Sequence, residues 1–121
     1  MKINWFSPLP PAATDIAHYT ARTLPVLAQH AEVTLWTEQR SWDKSLQKWA
    51  RVETFRGTEH IDWTRLNRAD VSFYHIGNNP LFHGGIWRVS QRNPGVVVLH
   101  DMRLRRTCIS QMRSIFMKDR R

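Results

Sequence analysis

The rhythm of apolar and polar positions divides this 121-residue chain into short β-type runs separated by segments of helical period. The most continuous run is Val96, Val97, Val98 and Leu99, preceded by Gly95 and followed by His100 and Asp101. An unbroken β-branched and aliphatic run is what a strand covered on both faces requires, whereas a half-solvated strand alternates. The pattern therefore predicts a central parallel strand at 96–99. Lys2 to Phe6 predicts a first strand, after which Pro8, Pro10 and Pro11 forbid regular structure. Thr14 is a good N-cap, and Ile16, Tyr19, Thr20, Thr23, Leu24 and Leu27 recur at helical spacing. A helix is expected over about Asp15 to His30, with Pro25 kinking its last turns. Val33 to Trp36 reads as a second strand.

The middle of the chain is less regular. Glu38 to Arg51 is polar and dotted with Trp, and predicts a long loop with room for one helical turn. Val52 to Phe55 predicts a short strand, Ile61 to Asn67 a short helix, and Asp70 to His75 a better strand. Asn79-Pro80 is an N-cap and first-turn pair, so a second long helix begins there. Phe82, Ile86 and Val89 share one of its faces, and Asn93-Pro94-Gly95 stops it. The order β-α-β, an irregular middle, then β-α-β predicts an α/β fold: a Rossmann-like, mostly parallel sheet with helices on both faces. The length suits a single domain.

In open parallel sheets ligands bind outside the carboxyl ends of the strands. Three segments should meet there: Ser7 to Thr14, His75 to Asn79, and His100-Asp101. Their inventory is His75, Gly77, Asn78, Asn79, His100 and Asp101. Amides and imidazoles pair with hydroxyls, and a helix N-terminus favours phosphate, so the edge suits hydroxyl-rich or phosphorylated ligands. Ordinary turn chemistry accounts for the same Gly-Asn-Asn-Pro, and Asp101 could equally cap a helix.

Charge changes this picture only at the far end. Residues 1–101 hold 11 Lys+Arg against 9 Asp+Glu, whereas residues 102–121 hold 7 against 1, so most of the net charge of +8 lies in the last stretch. Nucleic acid is a weak expectation for the body of the chain. Cys108 is the only cysteine, so no intrachain disulfide can form and a reducing, cytoplasmic setting is the simpler expectation, at most peripheral to an inner membrane. Neither a signal-peptide core nor a run of membrane-spanning length is present.

Several chemistries lack their motifs. Neither G-x-G-x-x-G nor G-x-x-x-x-G-K-[ST] occurs, no H-x-x-x-H or cysteine pair offers metal-ligand spacing, and no serine sits in a G-x-S-x-G turn. No cofactor and no metal are expected. His18, His30 and His60 read as solvated.

Lys2 to Tyr19 (KINWFSPLPPAATDIAHY), Tyr74 to Trp87 (YHIGNNPLFHGGIW) and Asn93 to Asp101 (NPGVVVLHD) together resemble bacterial group-one glycosyltransferases. These are retaining enzymes of GT-B architecture, with two Rossmann-like domains facing across a cleft. The resemblance spans about residues 1–104 and concerns the amino-terminal, acceptor-side domain alone. It implies transfer from a nucleotide-sugar to an acceptor glycan or lipid. It places His100 against the donor sugar, Asp101 at the start of the following helix, and Gly77 and Asn78 along the cleft. Asp15 stands where such enzymes usually have glycine in the first loop; its carboxylate suits a helix N-terminus but would crowd and repel phosphate.

The end of the chain departs from that family. Residues 105–121 read RRTCISQMRSIFMKDRR, with neither the family's further strands nor a glutamate pair. The expectation is an incomplete copy, inactive alone, whose tail is not the family's own. The alternative is a small basic binding module: Leu104, Cys108, Met112 and Ile115 or Phe116 lie at near-helical spacing among basic residues, a pattern that could lie on an anionic membrane or on nucleic acid. Oligomeric state is left open.

Overall fold

The computed structural model of the chain describes residues 1–12, 14–77 and 80–100, with residues 80–83 as backbone. Among the described residues five strands form one parallel sheet: β1 (Lys2–Phe6), β2 (Glu32–Thr37), β3 (Arg51–Thr54), β4 (Val71–Ile76) and β5 (Val96–Leu99). Their spatial order is β3-β2-β1-β4-β5, so the sheet grows one way from β1 and then the other. This is the Rossmann-like α/β arrangement that the alternation of strands and helices predicts.

Among the described residues three helices cover the sheet: α1 (Asp15–Leu27), α2 (Trp63–Leu66) and α3 (Pro80–Arg92). Thr14 caps α1 as expected, its hydroxyl accepting from the Ala17 N–H at 3.0 Å. Pro25 lies inside α1 near its end. The irregular middle supplies a single turn of 3₁₀ helix, Lys44–Lys48, capped by Asp43. Hydrogen bonds from Ser45 to that exposed Asp43 carboxylate hold it below its ordinary range.

Successive strand residues face opposite sides, and the two faces bury different cores. On the α1 side Ile3, Trp5, Val33 and Leu35 pack with Leu9, Leu24 and Leu46. On the other side Phe6, Trp36, Phe55 and Tyr74 pack with Leu66 of α2 and Ile86, Trp87 and Val89 of α3. Phe6 is in register with both Trp36 and Tyr74. The three rings therefore run across β2, β1 and β4 at 5.6 and 4.8 Å spacing, a ladder of cross-strand aromatic pairs.

One polar residue is built into this interior. Asn4, buried in β1, accepts the Trp36 indole N–H at 2.9 Å and donates to the Leu66 carbonyl at 2.8 Å and to Ser72 Oγ at 3.0 Å. A buried amide is tolerated only when so satisfied, and here it ties α2 to two strands.

The run 96–99 is a strand, but not a central one. β5 lies at the edge of the sheet, with β4 as its one neighbour among the described residues. Val96, Val97 and Leu99 are 45%, 39% and 53% exposed. β-Branched continuity specifies extended backbone and does not specify which neighbours a strand acquires; the centre belongs to β1, whose buried positions include a polar Asn4.

Candidate functional site

The strands being parallel, all five carboxyl ends lie along one edge, and the order reverses between β1 and β4. Ser7 follows β1, His75 and Gly77 sit at the end of β4, and His100 follows β5. The backbone of His100 stays in the ladder, its N–H donating to the Ile76 carbonyl at 3.0 Å. Val98 pairs with His75 in register, and His100 lies two residues further on, so both imidazoles emerge on the α1 face.

They meet there. His75 Nδ1 and His100 Nε2 are 2.7 Å apart, a hydrogen bond in which one ring supplies the N–H and the other the lone pair. His75 is buried, and the Trp5 ring lies 4.1 Å from its centroid. Tyr19 of α1 covers both imidazoles, edge-on to His100 at 5.0 Å and tilted to His75 at 6.0 Å. Burial pushes the His100 imidazole below its ordinary value, because desolvation disfavours the charged ring. At neutral pH His100 is an uncharged group with a second ring nitrogen for hydrogen bonding.

A buried hydroxyl pair holds Trp5 in place. Thr20 Oγ1 accepts the Trp5 indole N–H at 3.1 Å and shares a 2.6 Å hydrogen bond with Ser7 Oγ. The first loop is clamped from the other side by Gln39, whose amide donates to the Leu9 carbonyl at 2.9 Å and accepts from the Leu9 N–H at 2.8 Å. The Pro10–Pro11 peptide within it is cis.

Of the residues that the sequence singles out, the structure joins His75 and His100, with Gly77 buried beside them. Asp15 is exposed in the first turn of α1, and no contact among the described residues brings its carboxylate to either imidazole. Asn78, Asn79 and Asp101 lie outside the described residues, as do Cys108 and the basic stretch from Arg103 onward. The sequence reading missed Tyr19, Trp5, Thr20 and Ser7 as site residues. Tyr19 and Thr20 do stand out in the helical repeat of α1, where they read as packing. His18, His30 and His60 are exposed. Among the described residues no three His, Cys, Asp or Glu side chains are placed to hold a metal ion. No described helix is long and apolar enough to cross a membrane.

No known family, curated protein or solved structure matches the chain in comparisons with each.

Proposed function

We propose that this chain is the acceptor-side, amino-terminal domain of a retaining glycosyltransferase, in which His100 hydrogen-bonds the sugar of a nucleotide-sugar donor. The observation that carries the reading is the pairing of His100 with His75 at the carboxyl edge, beside the point where the strand order reverses. The motif resemblance of residues 1–104 supports it. So does the chemistry of the pair: a neutral imidazole fixed through one nitrogen suits a sugar hydroxyl better than a phosphate.

In the transfer, the bond from the anomeric carbon to the leaving diphosphate breaks and a bond to the acceptor oxygen forms on the same face. The acceptor proton departs with the diphosphate. His100 orients the sugar in this scheme and moves no proton. Stabilisation of the diphosphate falls to cations or dipoles across the cleft, because burial disfavours the charged form of His100.

Saturation-transfer NMR with UDP-glucose, UDP-N-acetylglucosamine and GDP-mannose tests the reading. Magnetisation should pass from the protein to sugar-ring protons of at least one donor, and H100A should lose the effect while keeping its melting transition. Transfer to none of the three sugars, or transfer that H100A leaves intact, overturns it.

A further inference from the structure

A second feature lies on the same edge, at the ends of β2 and β3. There the chain forms a cavity open to solvent, of about 480 Å³, within the range of roughly 300–1,000 Å³ typical of small-molecule sites. Its walls are the loop after β2, carrying Glu38, Arg40 and Trp42, and the turn after β3, carrying Arg56 and His60. The turn is a built structure. Arg56 and His60 face each other across an antiparallel bridge, with N–H to carbonyl distances of 2.8 and 3.2 Å. Side chains opposed in this way rise on one face about 5 Å apart. Gly57, at φ +55°, permits the reversal, and its N–H donates to Glu38 Oε2 at 3.0 Å, which ties the turn to the loop.

Two observations indicate what the cavity takes. Arg40 and Arg56 are both exposed on its walls, where Glu38 is the one carboxylate, so cations outnumber it. Guanidinium groups match the oxygens of a phosphate in pairs of hydrogen bonds. The Trp42 indole Nε1 is buried and has no hydrogen-bond acceptor among the described residues. Buried donors in folded chains are almost always paired, so one carried by a residue of the cavity wall is satisfied once the indole turns to meet an oxygen supplied from the cavity.

We propose that this cavity binds a phosphorylated ring compound of hexose monophosphate size, its phosphate held by Arg40, Arg56 and His60 and a ring or hydroxyl oxygen accepting the Trp42 indole N–H. The inference does not depend on sugar transfer at His100, which lies three strand spacings away along the edge, roughly 14 Å.

The test is a titration of the full chain with glucose 6-phosphate, inorganic phosphate and glucose, followed by ¹H–¹⁵N spectra in which the Trp42 indole signal is identified from W42F. Glucose 6-phosphate should shift the Trp42 indole and the backbone amides of 56–60, inorganic phosphate should shift the amides more weakly, and glucose alone should do neither. R40A/R56A should weaken glucose 6-phosphate binding at least about tenfold, as the loss of paired guanidinium contacts implies. Both arginines are exposed, so the variant should keep its melting transition. W42F should weaken the sugar phosphate severalfold and leave inorganic phosphate unchanged. The proposal is overturned by silence of these signals up to about 10 mM ligand. It is equally overturned by shifts spread over basic residues outside the cavity, or by unaltered binding in R40A/R56A.

Discussion

Gly95 lies directly against Ser72: a Cβ placed on Gly95 would fall inside contact distance of the Ser72 carbonyl oxygen and against the Tyr74 ring. The glycine is what lets the chain leave α3 and enter β5 alongside β4. Neither a backbone carbonyl nor a ring buried to 0% exposure can yield cheaply. G95A should therefore lower stability by roughly 1–3 kcal/mol, read as a drop in the thermal midpoint. Gly84, within α3, is the control, since a Cβ there meets nothing within 4 Å among the described residues. G84A should be neutral or gain up to about 1 kcal/mol from helix propensity.

Asn4 should prove indispensable to the interior. N4L keeps the bulk but leaves the Trp36 indole N–H without its acceptor and takes the shorter hydrogen bond from the Leu66 carbonyl, which keeps the Ala69 N–H at 3.4 Å. An orphaned indole donor and a weakened carbonyl bond at that depth should cost roughly 1–3 kcal/mol in chemical denaturation. An unchanged midpoint would mean that water reaches Asn4 and that the packing around it is looser than described.

The hydroxyl pair behind Trp5 should be felt at the histidines. T20V removes the acceptor of the Trp5 indole and the partner of Ser7, with an expected loss of about 1–2 kcal/mol. Because Trp5 stacks on His75, the ¹⁵N signals of both imidazoles should move in T20V although neither ring touches Thr20. Unmoved signals would show that the β4 and β5 backbones alone position the pair.

Acid should weaken the fold through His100. Its native imidazole is held below the ordinary value of 6.5 by burial, so the native state binds that proton less tightly than the unfolded chain does. This stabilisation is complete above the ordinary value and is lost as pH falls from there through the lower native value. Melting curves from about pH 8 to about pH 5 should show the midpoint falling across that window, and H100Q should flatten the slope. Equal slopes in the two proteins would remove His100 as the cause.

The strand and helix plan was legible in the sequence because its signals are local. Thr14 caps a helix wherever it is placed, and the prolines of the first loop exclude regular structure in any fold. The histidine edge was legible for a topological reason: parallel strands bring their carboxyl ends together, which places His75 and His100 near each other without any knowledge of side chains. Their hydrogen bond was not legible, since it depends on the two-residue offset between β4 and β5. Tyr19 escaped notice because a ring at helical spacing reads as packing, and it does pack, but upon imidazoles. The rank of β5 in the sheet was misread because Val96 to Leu99 describe a strand and say nothing of its neighbours. Arg56 and His60 carry no motif, and only the reversal at Gly57 makes them opposite partners.

The edge position of β5 gives His100 a second meaning. It directly follows the outermost described strand, whose apolar side chains are 45%, 39% and 53% exposed at Val96, Val97 and Leu99. Whatever comes to lie over the α1 face of that strand, beside Val96, also removes water from the imidazole pair, and desolvation drives the affinity of His100 for protons further down. One ring thus works as a gauge: the pH at which His100 titrates reports how dry the margin of the sheet is, and would register an added strand, a helix or a second molecule at the moment it arrives.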